Sequence, residues 1–81
     1  MEEARIVDVI RDDIVRVGEN GIVDFTEERS WMTPGELYAK LTGMRRVVAI
    51  MHECGQITRE EKNELCKLIE EYRRRALDLD S

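Results

Sequence analysis

The sequence has very few of the residues from which catalytic and metal sites are built. Its 81 residues include one histidine and two cysteines, namely His52, Cys54 and Cys66. On a helix, His52 and Cys54 would point about 200° apart, so they cannot form a nucleophile–base pair. Zinc sites use paired ligands at short spacings such as C-x₂₋₄-C, which do not occur here. We therefore expect no enzyme activity, metal, cofactor or small-molecule substrate.

Long apolar runs and a disulfide framework are also missing. The longest apolar stretch covers residues 47–51, far below the roughly 20 residues that span a bilayer. The acidic start Met1-Glu2-Glu3 does not have the positive charge of a signal peptide. Two cysteines alone do not form a disulfide framework, and the cytosol favours free thiols. The sequence therefore predicts a cytoplasmic protein without a membrane partner.

Positive charge is scarce in the first part of the chain. The net charge is −5; residues 1–33 contain nine acids and four bases, and residues 34–81 contain nine of each. Acidic surfaces repel phosphate backbones, so nucleic acid is not the favoured partner. A single domain over residues 1–81 buries only roughly 60% of its unfolded surface. We therefore expect a homo-oligomer, most simply a homodimer, or another protein partner.

The acidic N-terminal part combines helix and strand signals. Apolar residues at helical spacing predict a short helix over about residues 1–13, although their β-branched side chains leave strand open for residues 1–17. The loop Gly18-Glu19-Asn20-Gly21 lies between two β-rich runs and predicts a β-hairpin over residues 14–25. The expected fold class is therefore mainly α, with α+β possible.

Two capping boxes predict an antiparallel helical hairpin over residues 34–81. Thr33-Pro34-Gly35-Glu36 and Thr58-Arg59-Glu60-Glu61 both place a threonine three residues before a glutamate, the pattern of a helix start. Gly55 can adopt the left-handed conformation that ends a helix. Because only a few residues separate the two helices, they must fold back on each other.

Apolar residues along this hairpin recur at spacings of three and four, the pattern of a helix seam. We expect this seam to mediate self-association. Its residues are Leu37, Leu41, Met44, Val48, Met51, Leu65, Leu68 and Tyr72.

Residues 36–57 also resemble a helix-turn-helix. Ala39 and Gly43 have the spacing of the small residue and the turn glycine of that motif. The resemblance implies that Arg45 and Arg46 would face DNA, as in a transcriptional regulator. One uninterrupted helix explains the same residues, so both readings remain open.

Trp31 and Met32 lie in a polar linker before the Thr33 cap. Aromatic residues and methionine are enriched in interface cores, so these two residues are candidate partner contacts. They can equally pack against the start of the following helix. The sequence as a whole predicts a non-catalytic interaction or regulatory protein, such as a small prokaryotic or phage regulator or inhibitor. The alternative is a DNA-binding transcriptional regulator.

Overall fold

The computed structural model describes residues 5–26 and 33–80. These residues form three helices, α1 (Ile6–Thr26), α2 (Pro34–Glu53) and α3 (Arg59–Asp80), with no strand within the described ranges. Helix α2 runs antiparallel to α3, its closest neighbour, and α1 lies against both. Ion pairs from Arg5 to Glu61 and from Glu19 to Arg75 show that α1 and α3 run in the same direction. The mainly α fold class is confirmed.

The β-hairpin predicted over residues 14–25 is wrong, because these residues belong to the single helix α1. Gly18 and Gly21 are not turn residues but contact points on one face of α1. A Cβ added to Gly18 would lie within 2.7 Å of three ring atoms of Tyr72, and one added to Gly21 would lie 2.7 Å from Leu37 Cδ1. The two glycines therefore allow α3 and α2 to approach the backbone of α1 closely.

The helical hairpin predicted over residues 34–81 is confirmed for its described part, together with the hydrogen bonds that start its helices. The Thr33 hydroxyl accepts a hydrogen bond from the Glu36 N–H at 3.1 Å. At α3 the box is reciprocal: the Thr58 hydroxyl accepts from the Glu61 N–H at 3.1 Å, and the Glu61 carboxylate accepts from the Thr58 N–H at 2.8 Å. These bonds satisfy amide donors that have no partner inside the helix.

Helix α2 ends close to Gly55, as the sequence predicts. Gly55 has φ of +76°. Its N–H donates to the His52 carbonyl, and the Gln56 N–H donates to the Met51 carbonyl at 2.9 Å. This pair of bonds is a Schellman motif, which satisfies the last carbonyls of the helix.

Helix α2 passes through Gly43 without interruption, from Pro34 to Glu53. The helix-turn-helix arrangement suggested for residues 36–57 is therefore wrong as a description of their structure. The Thr42 hydroxyl donates to the Tyr38 carbonyl one turn earlier at 2.9 Å, a bond that occurs within a regular helix.

The core is formed by apolar side chains from all three helices and from the α2–α3 loop. Each helix contributes residues spaced three, four or seven apart, which places them on one face of the helix. The buried residues are Val7, Ile14, Leu37, Leu41, Val48, Ile57, Leu65, Ile69, Tyr72 and Ala76.

Candidate interaction surface

The predicted self-association seam lies mostly inside the single chain. Leu37, Leu41, Val48 and Leu65 are fully buried, and Tyr72 is 5% exposed. Met44, Met51 and Leu68 are partly buried against the same core. The seam therefore holds α2 to α3 and to α1, and its five buried members cannot contact a second copy in the folded chain. An interaction surface must use other residues.

An apolar groove runs between α1 and α2 on the outside of the molecule, with a volume of about 350 Å³. We call it the α1–α2 groove. Its α1 wall includes Val9, which is 47% exposed, and its α2 wall includes Val47, which is 49% exposed. The lining residues are Ile6, Val9, Ile10, Asp13, Met44, Val47 and Met51.

A row of exposed residues on α2 borders this groove. Gly43, Val47 and Ile50 are spaced four and three apart, so they share one side of α2 and form what we call the α2 stripe. Ile50 is 57% exposed, the highest exposure among the large apolar residues that the structure describes. A Cβ added to Gly43 would meet no atom within 4 Å. The stripe is thus an open apolar ridge beside an open apolar groove.

The sides of the bundle next to α3 differ from the α1–α2 side, because charged side chains form ion pairs across them. Arg5, the residue before α1, pairs with Glu61 of α3 at 2.6 Å, and Arg11 of α1 pairs with Glu64 of α3 at 2.8 Å. In the described part of the chain, every ion pair between helices involves α3. The α1–α2 side has no such pair among those residues, which leaves its apolar side chains uncovered.

The two arginines considered for phosphate contact have different positions. Arg45 donates to Glu70 of α3 at 3.0 Å, so its charge already has a partner. Arg46 lines a shallow depression beside Tyr38 and Thr42. Of the two, Arg45 already pairs within the chain, and Arg46 faces this depression.

Two tyrosines connect α3 to its neighbours through polar contacts. The Tyr72 hydroxyl donates to Glu19 at 2.8 Å, and Arg75 lies 5.2 Å above the ring. Burial and this hydrogen bond raise the pKa of Tyr72, and the same bond holds the pKa of Glu19 below its ordinary value. Arg73 lies 4.4 Å above the ring of Tyr38 and donates to its hydroxyl. These contacts explain how α3 is held in place.

The two thiols and the imidazole belong to no cluster of possible metal ligands among the described residues. Cys54 is exposed at the end of α2, and Cys66 is half-buried in α3. Among the described residues, no group of three or more histidine, cysteine, aspartate or glutamate side chains could hold a metal ion. None of the three described helices is long and apolar enough to cross a membrane.

The α1–α2 groove was not predicted from the sequence. Its α1 wall lies within the helix predicted for about residues 1–13, but the sequence did not show where that helix packs. On its α2 wall, Met44 and Met51 belong to the predicted seam and Val47 lies just outside it. The signal that could have identified it is the second spacing of four and three, from Gly43 through Val47 to Ile50. Trp31 and Met32, the predicted partner contacts, lie outside the described residues.

Compared with known protein families, with curated proteins and with solved structures, the chain matches none of them.

Proposed function

We propose that this chain is a non-catalytic interaction protein that self-associates, and that it acts in the cytoplasm as a small regulator or inhibitor. The observation that supports this most is the apolar side formed by α1 and α2, where Val9, Val47 and Ile50 are 47%, 49% and 57% exposed. They lie at or beside the apolar α1–α2 groove. Contiguous exposed apolar surface of this kind marks interaction sites on soluble proteins.

A second copy is the simplest partner, because isologous dimers are by far the commonest oligomers of soluble proteins. The free thiols of Cys54 and Cys66 are compatible with a cytoplasmic setting.

Size-exclusion chromatography with light scattering tests the proposal over a concentration series. We expect the mass to rise from 9.5 kDa towards twice that value as concentration increases. The melting temperature should rise with concentration as well, because the dimer is formed only by folded chains. A constant mass of 9.5 kDa, with a melting temperature independent of concentration, would contradict self-association.

A further inference from the structure

The intrinsic helix preference of α1 is much weaker than that of the two helices it packs against. Ten of its 21 residues are β-branched, compared with four of 20 in α2 and one of 22 in α3. A β-branched side chain loses rotamer freedom in a helix. Gly18 and Gly21 weaken α1 further, since only proline is a poorer helix former than glycine. Helix α1 therefore depends on its contacts with α2 and α3 to stay helical.

The α2–α3 hairpin, in contrast, has stabilising contacts that do not involve α1. The Schellman motif that ends α2 and the capping box that starts α3 both lie in the connection between these two helices. Arg45 of α2 pairs with Glu70 of α3 at 3.0 Å, and Arg73 lies 4.4 Å above the ring of Tyr38. The two helices also pack along each other more closely than α1 packs on either. All of these contacts persist when α1 leaves.

Helix α1 is held by few buried apolar side chains and by polar contacts near the surface. Among its described side chains, the buried apolar ones are Val7 and Ile14. The ion pairs of Arg5 and Arg11 with α3 are exposed to water, and exposed ion pairs contribute little to stability. Tyr72 adds one hydrogen bond to α1. The described contacts that hold α1 are therefore weaker than those that hold the α2–α3 hairpin together.

We propose that α1 docks on and detaches from the α2–α3 hairpin as one unit while the hairpin stays folded, and that this motion controls the apolar side of the molecule. Helix α1 supplies one wall of the α1–α2 groove through Val9 and Ile10, so the groove exists only while α1 is docked. Detachment also uncovers Leu37 and Tyr72, which lie against the two glycines of α1. The proposal goes beyond self-association, because it concerns the single chain. Association through the groove would require docked α1 and would stabilise it.

Native-state amide hydrogen exchange tests the proposal on the full chain, at a concentration where light scattering gives the mass of a single chain. We expect the amides of α1 to exchange faster than the most protected amides of α2 and α3, because α1 opens without the hairpin. Gly43→Ala separates the two units. Its methyl group meets open space in α2, so it stabilises the hairpin equally whether α1 is docked or detached. Exchange of the most protected hairpin amides should slow about fivefold, and exchange of the α1 amides should not change.

Ile14→Val is the matched variant on the side of α1. It removes one methyl group from a side chain that is fully buried between α1 and the rest of the core. That contact is lost when α1 detaches, so the α1 amides should exchange about threefold faster or more. Unchanged exchange of the α1 amides would mean that α1 frays without leaving the hairpin, and it would contradict the proposal.

The proposal is overturned if Gly43→Ala slows the α1 amides and the hairpin amides by the same factor, because the chain then opens as one unit. It is equally overturned if the wild-type α1 amides exchange as slowly as those of the hairpin. Neither result bears on self-association, which the mass of the chain at higher concentration decides.

Discussion

Gly18→Ala should destabilise the bundle although alanine is the better helix former. Alanine in place of glycine within a helix contributes about 1 kcal/mol of stability. The new Cβ would lie within 2.7 Å of three ring atoms of Tyr72, so either the ring or α1 must move. The ring is 5% exposed and its hydroxyl is bonded to Glu19 at 2.8 Å, so its movement is restricted.

The magnitude follows from these opposing terms. Overpacking a well-filled core costs typically about 1–3 kcal/mol, and the contact with three ring atoms places Gly18→Ala near the upper end. After the gain in helix propensity, the net loss should be about 2 kcal/mol. Gly43→Ala is the matched control, because its Cβ would meet open space and its expected effect is a gain of about 1 kcal/mol. The two variants should differ by about 3 kcal/mol, with opposite signs.

The assay is urea unfolding followed by helical circular dichroism. Both variants are measured at concentrations where light scattering gives the mass of a single chain, so that dimerisation does not contribute to the free energy of unfolding. The midpoint of Gly18→Ala should fall and that of Gly43→Ala should rise, with little change in the slope. If Gly18→Ala is as stable as its parent, the close approach of α1 to Tyr72 is wrong.

Two further predictions concern the pH dependence of one hydrogen bond and the end of one helix. Tyr72→Phe removes the hydrogen bond that lowers the pKa of Glu19. A carboxyl group with a lowered pKa stabilises the fold at pH values above its ordinary pKa, and this contribution is lost as the pH falls through the lowered pKa. The loss of unfolding free energy in Tyr72→Phe should therefore be present at neutral pH and diminish as pH falls below the ordinary carboxyl range and through the lowered pKa of Glu19. A loss that does not depend on pH would contradict this account. Gly55→Ala should lower the free energy of unfolding by about 1 kcal/mol, because alanine is strained at φ of +76°. Gly55→Asn should lose less, since asparagine tolerates that conformation, and equal losses would argue against backbone strain.

The parts of the fold that could be predicted from the sequence are those encoded locally. The capping box at Thr58 and Glu61 uses atoms within four residues of each other, so its side chains and spacing alone specify it. The end of α2 at Gly55 is local in the same sense. In both places the contacts that form the structure are short-range, and the predictions were confirmed.

The structure of the N-terminal part was predicted wrongly because its two glycines contact residues that are distant in the sequence. Gly18 and Gly21 resemble a turn when only their neighbours in the chain are considered. In the folded chain they lie opposite Tyr72 and Leu37, from helices that follow later in the sequence. Local sequence cannot show this, because a glycine that permits a turn and a glycine that permits helix contact look alike.

The candidate interaction surface was only partly accessible from the sequence. The spacing of Leu37, Leu41 and Val48 correctly indicated an apolar face on α2, but it did not show whether that face is covered by the same chain. Coverage depends on where α1 packs, and α1 was predicted as part helix and part hairpin. The uncovered residues, such as Ile50, are therefore identified only when all three helices are in place.

A dilution series followed by amide NMR tests the central claim most directly, because it reports on self-association and its location without any substitution. As concentration rises from low micromolar to millimolar, we expect the amide signals of Val9, Gly43, Val47 and Ile50 to shift or broaden together. The signals of Val15 and Leu77, which are exposed outside the groove, should stay in place. Signals that do not change with concentration anywhere in the chain, or changes centred on α3, would contradict the account.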